Sequence, residues 1–218
     1  MADRETLRQR LDAGLSALGV ALDDAAIARL IDYVELLERW NAAYNLTAVR
    51  DPAEMVTRHL LDSLAILPHV AGATLADLGS GAGLPGIPLA IAAPEREILL
   101  VDSNGKKARF LREAVRRLDL KHVRVAESRV EDVAGTFECI TARAFASLAD
   151  MLRWGGHLLA PGGAWLAMKG RVDAAELDAV PAGFRVEKIV ALNVPGLDAE
   201  RHLVILKGSS VVPAKAGT

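Results

Sequence analysis

Apolar residues recur at two different spacings in this chain, and the change from one to the other divides it. Leu7, Leu11, Leu15 and Leu18 fall three or four positions apart, the period of one helix face. That run stops at Gly19, a residue that accepts the positive φ on which helices end. Ile27, Leu30, Ile31, Val34, Leu37 and Trp40 form a second stripe, with Asp32, Glu35 and Glu38 facing away and Asp23 or Asp24 placed to cap the first turn. In Asp51-Pro52-Ala53-Glu54, Asp51 suits the N-cap, Pro52 the first helical position and Glu54 a reciprocal capping contact. A third helix is expected there, ending near Pro68.

From Thr74 onward the period shortens. Apolar runs at 74–78, 98–101, 123–126, 137–142 and 164–168 alternate with helical stretches, which predicts a parallel sheet wrapped by helices. Pro161-Gly162-Gly163 predicts a turn before the fifth run. Segments 185–192 and 202–207 read as two further strands, joined by a loop containing Pro195-Gly196 that is short enough for an antiparallel pair. The predicted fold is α/β: a doubly wound, mostly parallel, seven-stranded sheet over residues 71–208. A helical extension over residues 1–70 precedes it, and a frayed tail over 209–218 follows.

Composition narrows the function classes. A chain of 218 residues holds one such domain with its extension, and 51% apolar with 25% charged residues excludes extensive disorder. The formal charge of −2 gives no global attraction to nucleic acid, so a polyanionic partner requires a local patch. Residues 103–124 supply one: Lys106, Lys107, Arg109, Arg112, Arg116, Arg117, Lys121 and Arg124 against Glu113 and Asp119, a local net of +6. Ala108, Leu111, Val115 and Leu118 give this helix its buried stripe, so most of the charge faces outward, as a phosphate-binding face or simply as a solvated one. Cys139 is the single cysteine, which excludes an internal disulfide and a thiolate metal cluster and fits a reducing cytoplasm. No apolar stretch reaches the roughly 20 residues of a bilayer span, and the N-terminal residues lack the apolar core of a secretory leader. A cytoplasmic protein without a membrane segment is expected, as a monomer by default.

The strongest chemical signal is Asp77-Leu78-Gly79-Ser80-Gly81-Ala82-Gly83, directly after the first strand. A glycine-rich turn there lets a ligand approach the backbone. The spacing is G-x-G-x-G rather than the G-x-G-x-x-G that cradles a pyrophosphate, and no Gly-Lys-Ser/Thr follows to make a P-loop. Asp77 would repel a phosphate and suits the ammonium of a methionine moiety, directly or through water. Asp102, at the end of the second strand, is placed to accept hydrogen bonds from both hydroxyls of a ribose. Together they point to S-adenosylmethionine as a methyl donor, with Gly79 and Gly81 at its backbone contact.

With these residues placed, the chain resembles the RsmG family, also called glucose-inhibited division protein B, bacterial enzymes that methylate N7 of a guanine in 16S rRNA. The resemblance runs through Trp40-Asn41-Ala42-Ala43-Tyr44-Asn45-Leu46-Thr47, Arg58-His59-Leu60-Leu61-Asp62-Ser63-Leu64, Leu84-Pro85-Gly86-Ile87-Pro88, Val101-Asp102-Ser103, Ser128-Arg129-Val130-Glu131, Thr141 to Leu148, and Lys169-Gly170. Its specific parts are the Leu-Pro-Gly-Ile-Pro extension and the Arg-Ala-Phe-Ala-Ser stretch, which methyltransferases at large do not share. It implies donor contacts at Gly79, Leu84, Val130, Glu131 and Arg143, with 16S rRNA or the 30S subunit as partner.

The remaining candidates constrain the reaction. The Asn/Asp-Pro-Pro-aromatic run of exocyclic-amine methyltransferases is replaced here by Thr141-Ala142-Arg143-Ala144-Phe145. Carbon methylation of a pyrimidine needs a thiolate, and Cys139 lies inside an apolar strand. Guanine N7 already presents its lone pair, so positioning is the main requirement. Arg143 is the candidate for organising donor and substrate, or else a salt bridge at a strand end. No catalytic residue is compulsory. Lys169, like Lys106, Arg112, Arg116 and Arg117, is a candidate for RNA contact, or an ordinary surface lysine. His59, Asp62 and Ser63 share a helix face without a G-x-S-x-G elbow, and are expected to form a hydrogen-bonded structural cluster beside the donor pocket rather than a hydrolase triad. Alternative readings are the same fold acting on a small molecule or protein, a nicotinamide-dependent oxidoreductase, and a non-catalytic ribosome-binding protein.

Overall fold

The alternation of short apolar strands with amphipathic helices folds into a single seven-stranded sheet in the order β3-β2-β1-β4-β5-β7-β6. The computed structural model describes residues 3–143 and 146–209; Met1, Ala2, Ala144, Phe145 and the expected tail from residue 210 lie outside the described residues.

Helix α1 (Arg4–Leu18) starts at Asp3, whose carboxylate accepts from the Thr6 N–H, and stops at Gly19 with φ of 68°. Helix α2 (Asp24–Tyr44) is capped by Asp23, which accepts from the Ala26 N–H, and ends at Asn45 in the left-handed region. The third helix departs from expectation. It is α3 (Pro52–Met55), a π-helical turn (Val56–Leu61) and α4 (Asp62–Leu64), ending four residues before Pro68. Asp51 caps it by accepting from the Ala53 N–H, but Glu54 pairs with Arg58 at 2.7 Å instead of reaching back, because a cation one turn ahead is the stronger partner. Wider π turns inside helices are frequent at functional sites, and this one carries Arg58 and His59.

Strands β1 (Thr74–Leu78), β2 (Glu97–Val101), β3 (Val123–Ala126), β4 (Phe137–Arg143) and β5 (Leu159–Lys169) are all parallel. Strand β7 (His202–Gly208) runs antiparallel to both β5 and β6 (Phe184–Ala191), as the short connection predicted. Pro161-Gly162-Gly163 is not a turn ahead of β5 but a bulge within it. The step from Phe137 to Cys139 on β4 faces the longer step from Leu159 to Ala164, and Gly162 takes φ of 77°. The extra residues are absorbed where glycine permits it.

Helices α5 (Gly86–Ala92) and α6 (Gly105–Arg117) cover one face of the sheet, and α7 (Leu148–Gly155) covers the other. Leu7 and Leu11 of α1 and Leu30 and Leu37 of α2 belong to the same buried cluster as Ile87, Leu100, Phe110 and Leu111. The N-terminal helices therefore share the sheet's core. Across the sheet, Leu148, Met151 and Leu152 pack with Ile140 and Trp165. Because β1 leads out to β2 on one side while β4 lies on its other side, the C-terminal end of β1 is the topological switch point, where open α/β sheets bind ligands.

Gly14 seats α1 on the π turn: a side chain there would collide with Leu61 Cδ1 and come within 2.6 Å of its Cδ2. Gly14→Val is expected to destabilise the fold by about 1–3 kcal/mol. A urea midpoint equal to wild type would show that this packing yields freely.

Candidate functional site

The glycine loop leaves β1 at the switch point and is fixed at both ends. Ser80 ties it to β2: its N–H donates to the Val101 carbonyl at 2.9 Å, and its hydroxyl accepts from the Val101 N–H at 3.1 Å while donating to the Asp77 carbonyl at 2.8 Å. Gly79, Gly81 and Gly83 all have positive φ, at 70°, 57° and 87°, which explains their spacing better than space alone.

Asp77 is fully buried. Its Oδ1 accepts from the Thr141 hydroxyl at 3.0 Å and its Oδ2 from the Gly86 N–H at 3.1 Å. Burial pushes its pKa up to about 6, against the opposing pull of its hydrogen bonds and of Arg143. Gly86 has no room for a side chain, since a Cβ would collide with Leu100 and lie 2.7 Å from Asp77 Oδ2. The Leu-Pro-Gly-Ile-Pro extension thus closes the loop onto the carboxylate that precedes it.

A cavity of about 510 Å³ opens beside this loop, lined by Gly79, Asp102, Val130 and Glu131 together with Lys107 and Trp154. That volume lies in the range of small-molecule sites. Asp102 is 7% exposed, with Oδ2 accepting from the Gly81 N–H at 2.9 Å and Oδ1 from the Asn104 N–H at 2.8 Å. Each oxygen keeps a second lone pair for a hydroxyl donor. Of the predicted donor residues, Gly79, Asp102, Val130 and Glu131 form the wall. Asp77 at the end of β1 and Gly81 in the loop brace it through Gly86 and Asp102, while Leu84 and Arg143, the latter at the end of β4, are not among the lining residues.

Arg143 and its neighbours make a charged network. Arg143 Nη1 lies 3.2 Å from Asp62 Oδ2, and its Nη2 donates to the Arg58 carbonyl at 2.9 Å. Arg201 donates to Asp62 Oδ1 at 2.8 Å. Asp62 is 1% exposed and carries two cations, so the strand-end salt bridge weighed for Arg143 is present in this structure. The expected mutual cluster of His59, Asp62 and Ser63 is not. His59 bonds Thr47 Oγ1 at 2.9 Å, Asp62 bonds the arginines, and the Ser63 hydroxyl is buried without a partner among the described residues. The π turn changes the angular spacing that the i, i+3, i+4 argument assumed. Burial and the charge of Arg143 push the His59 pKa down to about 4, so this imidazole is neutral at physiological pH.

The basic helix is α6. Ala108, Leu111 and Leu118 of the predicted stripe are buried and Val115 packs against the core, with Phe110 and Ala114 widening the face. Arg112 pairs with Glu127 at 2.9 Å, and Arg116 and Arg117 both pair with Glu113 at 2.8 Å, holding that carboxyl down at about 2. Glu113 is already in the count of +6, so Glu127 is the one carboxylate from outside the run that these pairs add, while three of the arginines are tied to carboxylates. Lys106 and Arg109 are exposed and enter no ion pair among the described residues. Lys169 is not an open surface lysine, because Glu176 holds it at 2.6 Å and the Ala146 carbonyl accepts from it at 2.8 Å.

Two contributors escaped the sequence. Tyr33 is fully buried on α2 and donates to the Ala82 carbonyl at 2.6 Å, bracing the glycine loop from the N-terminal helices. Its place between Leu30 and Leu37 on the apolar face was a usable signal, since a buried tyrosine hydroxyl needs a partner. Arg201 gave none.

A family profile described as GidB: rRNA small subunit methyltransferase G matches residues 26–204. The chain is 58% identical over 200 residues to a ribosomal RNA small subunit methyltransferase G from Stenotrophomonas maltophilia (strain K279a), covering 91% of this chain and 93% of that protein. One from Xanthomonas euvesicatoria pv. vesicatoria (strain 85-10) is 57% identical over 199 residues, 90% of this chain and 93% of its own length. The chain belongs to the GidB family. Among solved structures, a ribosomal protein L11 methylase from Lactobacillus delbrueckii subsp. bulgaricus superposes with a TM-score of 0.54 at 17% identity, over 68% of this chain and 77% of that one. The glycopeptide N-methyltransferase MtfA with S-adenosylhomocysteine gives 0.59 at 10% identity, over 69% and 87%. These likenesses share the fold, and with the family they leave the nicotinamide alternative unsupported. Among the described residues no helix is long and apolar enough to cross a membrane, and no group of three or more His, Cys, Asp or Glu is arranged to hold a metal ion.

Asp77 gives the loop a pH signature. Its folded pKa near 6 exceeds the ordinary aspartate value of 3.8, so its stabilising contribution is complete below the lower value and is lost as pH rises through the upper one. Asp77→Asn keeps an acceptor for Gly86 and a donor for Thr141. It is expected to fold and to gain stability relative to wild type between about pH 4 and pH 7, on the order of 2–3 kcal/mol. Urea denaturation at both pH values measures this, and a pH-independent difference would contradict it.

Proposed function

We propose that this protein transfers the methyl group of S-adenosylmethionine to N7 of a guanine in 16S rRNA. The observation that carries the reading is the cavity at the switch point, walled by Gly79, Asp102, Val130 and Glu131, in a chain of the GidB family. S-adenosylmethionine supplies an electrophilic methyl on a sulfonium. Asp102 accepts from the ribose hydroxyls while it holds Gly81 and Asn104, and Val130 with Trp154 gives the adenine an apolar wall. Asp77 holds the loop at Gly86 and supplies negative charge behind the methionine end. Arg143, steadied by Asp62 and the Arg58 carbonyl, stands at the end of β4 where donor and base meet. Residues 1–70 act as a helical extension of the core at 71–208, bracing the loop through Tyr33.

The target atom follows from what the site lacks and from the family. Cys139 is fully buried and its thiol is pushed up to about 12 by burial, which removes it as a nucleophile. Guanine N7 needs no proton removed before it attacks, so orientation and a preformed charge distribution suffice. The enzyme works as a cytoplasmic monomer on 16S rRNA or the 30S subunit, with Lys106, Arg109, Arg112, Arg116 and Arg117 at the phosphates.

Incubation with labelled donor and unmodified 30S subunits, naked 16S rRNA or a metabolite panel tests the whole reading. Label is expected in 16S rRNA, at a purine cleaved by reduction and aniline. Label in a metabolite or protein alone would overturn it.

For the donor site, Gly79→Val is expected to abolish S-adenosylhomocysteine binding in titration calorimetry, because a branched residue is strained at φ of 70° and fills the space the ligand needs. Asp102→Ala should weaken binding by roughly ten- to a hundredfold. Unchanged affinity in a folded Asp102→Ala protein would remove that assignment.

Neutralising Arg112, Arg116 and Arg117 together should raise KM for rRNA, leave donor affinity intact and flatten the salt dependence by about 0.7–0.9 log unit for each phosphate no longer neutralised. A wild-type salt slope would return these arginines to their carboxylate partners alone.

A further inference from the structure

The Trp40–Thr47 segment takes no part in the donor cavity, yet it is held firmly. Asn41 is 2% exposed; its amide donates to the Val49 carbonyl at 3.1 Å and its Oδ1 accepts from the Thr47 N–H at 2.9 Å. Thr47 is bonded in turn to His59 on the π turn. The adjacent carbonyl, that of Arg58, is the one Arg143 engages at the end of β4. This short chain of bonds ties the loop to the C-terminal end of β4, in the middle of the sheet.

At the head of the loop stands Tyr44. The chain has two tyrosines, and the contrast between them is informative: Tyr33 is fully buried with its hydroxyl satisfied, whereas Tyr44 is 38% exposed. Tyr44 stacks on Trp40 with ring centroids 5.1 Å apart and planes 29° from parallel, and Trp40 packs edge-on against the buried Phe110 of α6 at 5.6 Å. The column stiffens the outer ring from below. Exposed cations accompany it. Arg50 is held by Asn45 Oδ1 at 3.2 Å, and Lys106 lies one turn before Phe110 on α6. Neither enters an ion pair among the described residues. A rigid aromatic face with unpaired cations nearby is the chemistry that binds an unpaired nucleobase and its phosphates.

We infer that Tyr44, backed by Trp40, is a stacking platform for an unpaired base of the rRNA substrate. The inference rests on the rRNA reading given above. Stacking requires an aromatic face but no hydroxyl, so the two roles open to Tyr44, covering Trp40 or binding a base, respond differently to substitution. Tyr44→Leu still covers Trp40; Tyr44→Phe covers it and still stacks.

Steady-state methylation of naked 16S rRNA and of 30S subunits, with donor affinity and thermal midpoint measured alongside, separates them. Tyr44→Phe is expected within about twofold of wild type. Tyr44→Leu is expected to raise KM for both RNA substrates between about five- and a hundredfold, the loss of one base–aromatic stack, with donor affinity unchanged. Tyr44→Trp supplies a check that does not depend on the leucine variant folding: naked 16S rRNA should quench its added fluorescence. A wild-type KM for Tyr44→Leu, or no quenching in Tyr44→Trp, would overturn the inference. So would a loss confined to 30S subunits, which would assign the surface to a ribosomal protein. Failure of the wild-type protein itself to methylate rRNA is a different result, and sinks the functional reading instead.

Discussion

Asp77 holds Thr141 of β4 with one carboxylate oxygen and the Gly86 amide with the other, in a place that water does not reach. A buried carboxylate is costly unless its lone pairs are met, and meeting them here fixes the relation between two parallel strands and the start of α5. The Gly79–Gly83 turn lies between those anchors, so its positive φ angles are set before any ligand arrives. A site organised in advance gives up less freedom on binding. The N-terminal helices contribute to the same end, because the Tyr33 hydroxyl reaches the Ala82 carbonyl in the middle of the loop.

The donor end of the fold was legible because its determinants are local. Strand β1, the glycines and Asp102 lie at short, characteristic separations, and positive φ has a sequence cost that only glycine avoids. The Gly19 stop of α1 and the Asp23 cap of α2 were legible for the same reason. What depends on contacts distant in sequence was not. Glu54 fits a capping box on paper, yet Arg58 outcompetes the backbone for it. Pro161-Gly162-Gly163 has the composition of a turn, yet pairing of Leu159 and Ala164 on either side of it with β4 keeps it inside β5. A π turn stands where a regular helix was expected for His59, Asp62 and Ser63, and the partners of Asp62 are Arg143 and Arg201, far along the chain.

Charge on the RNA side follows the same division. Counting residues gave α6 a strong positive field; in the structure Glu113 holds Arg116 and Arg117, and Glu127, from outside the run, holds Arg112. Lys106 and Arg109 on α6 and Arg50 beside Asn45 are exposed and enter no ion pair among the described residues. In the proposed arrangement the glycine loop and Asp102 would hold the donor, and the end of α2 with the start of α6 would meet the nucleic acid. Arg143, Asp62 and the π turn join the two.

The central claim is that the donor site is preformed around Asp77 and Asp102. Amide NMR of the Gly79–Gly86 loop, titrated with S-adenosylhomocysteine, probes it directly. The Gly81 and Val130 amides are expected to shift as ligand binds, while the Gly86 amide, already bonded to Asp77, holds its position and its slow exchange with solvent. A Gly86 amide that exchanges freely without ligand and becomes protected only on binding would contradict a preformed loop, and an absence of shifts at Gly81 and Val130 would place the donor elsewhere.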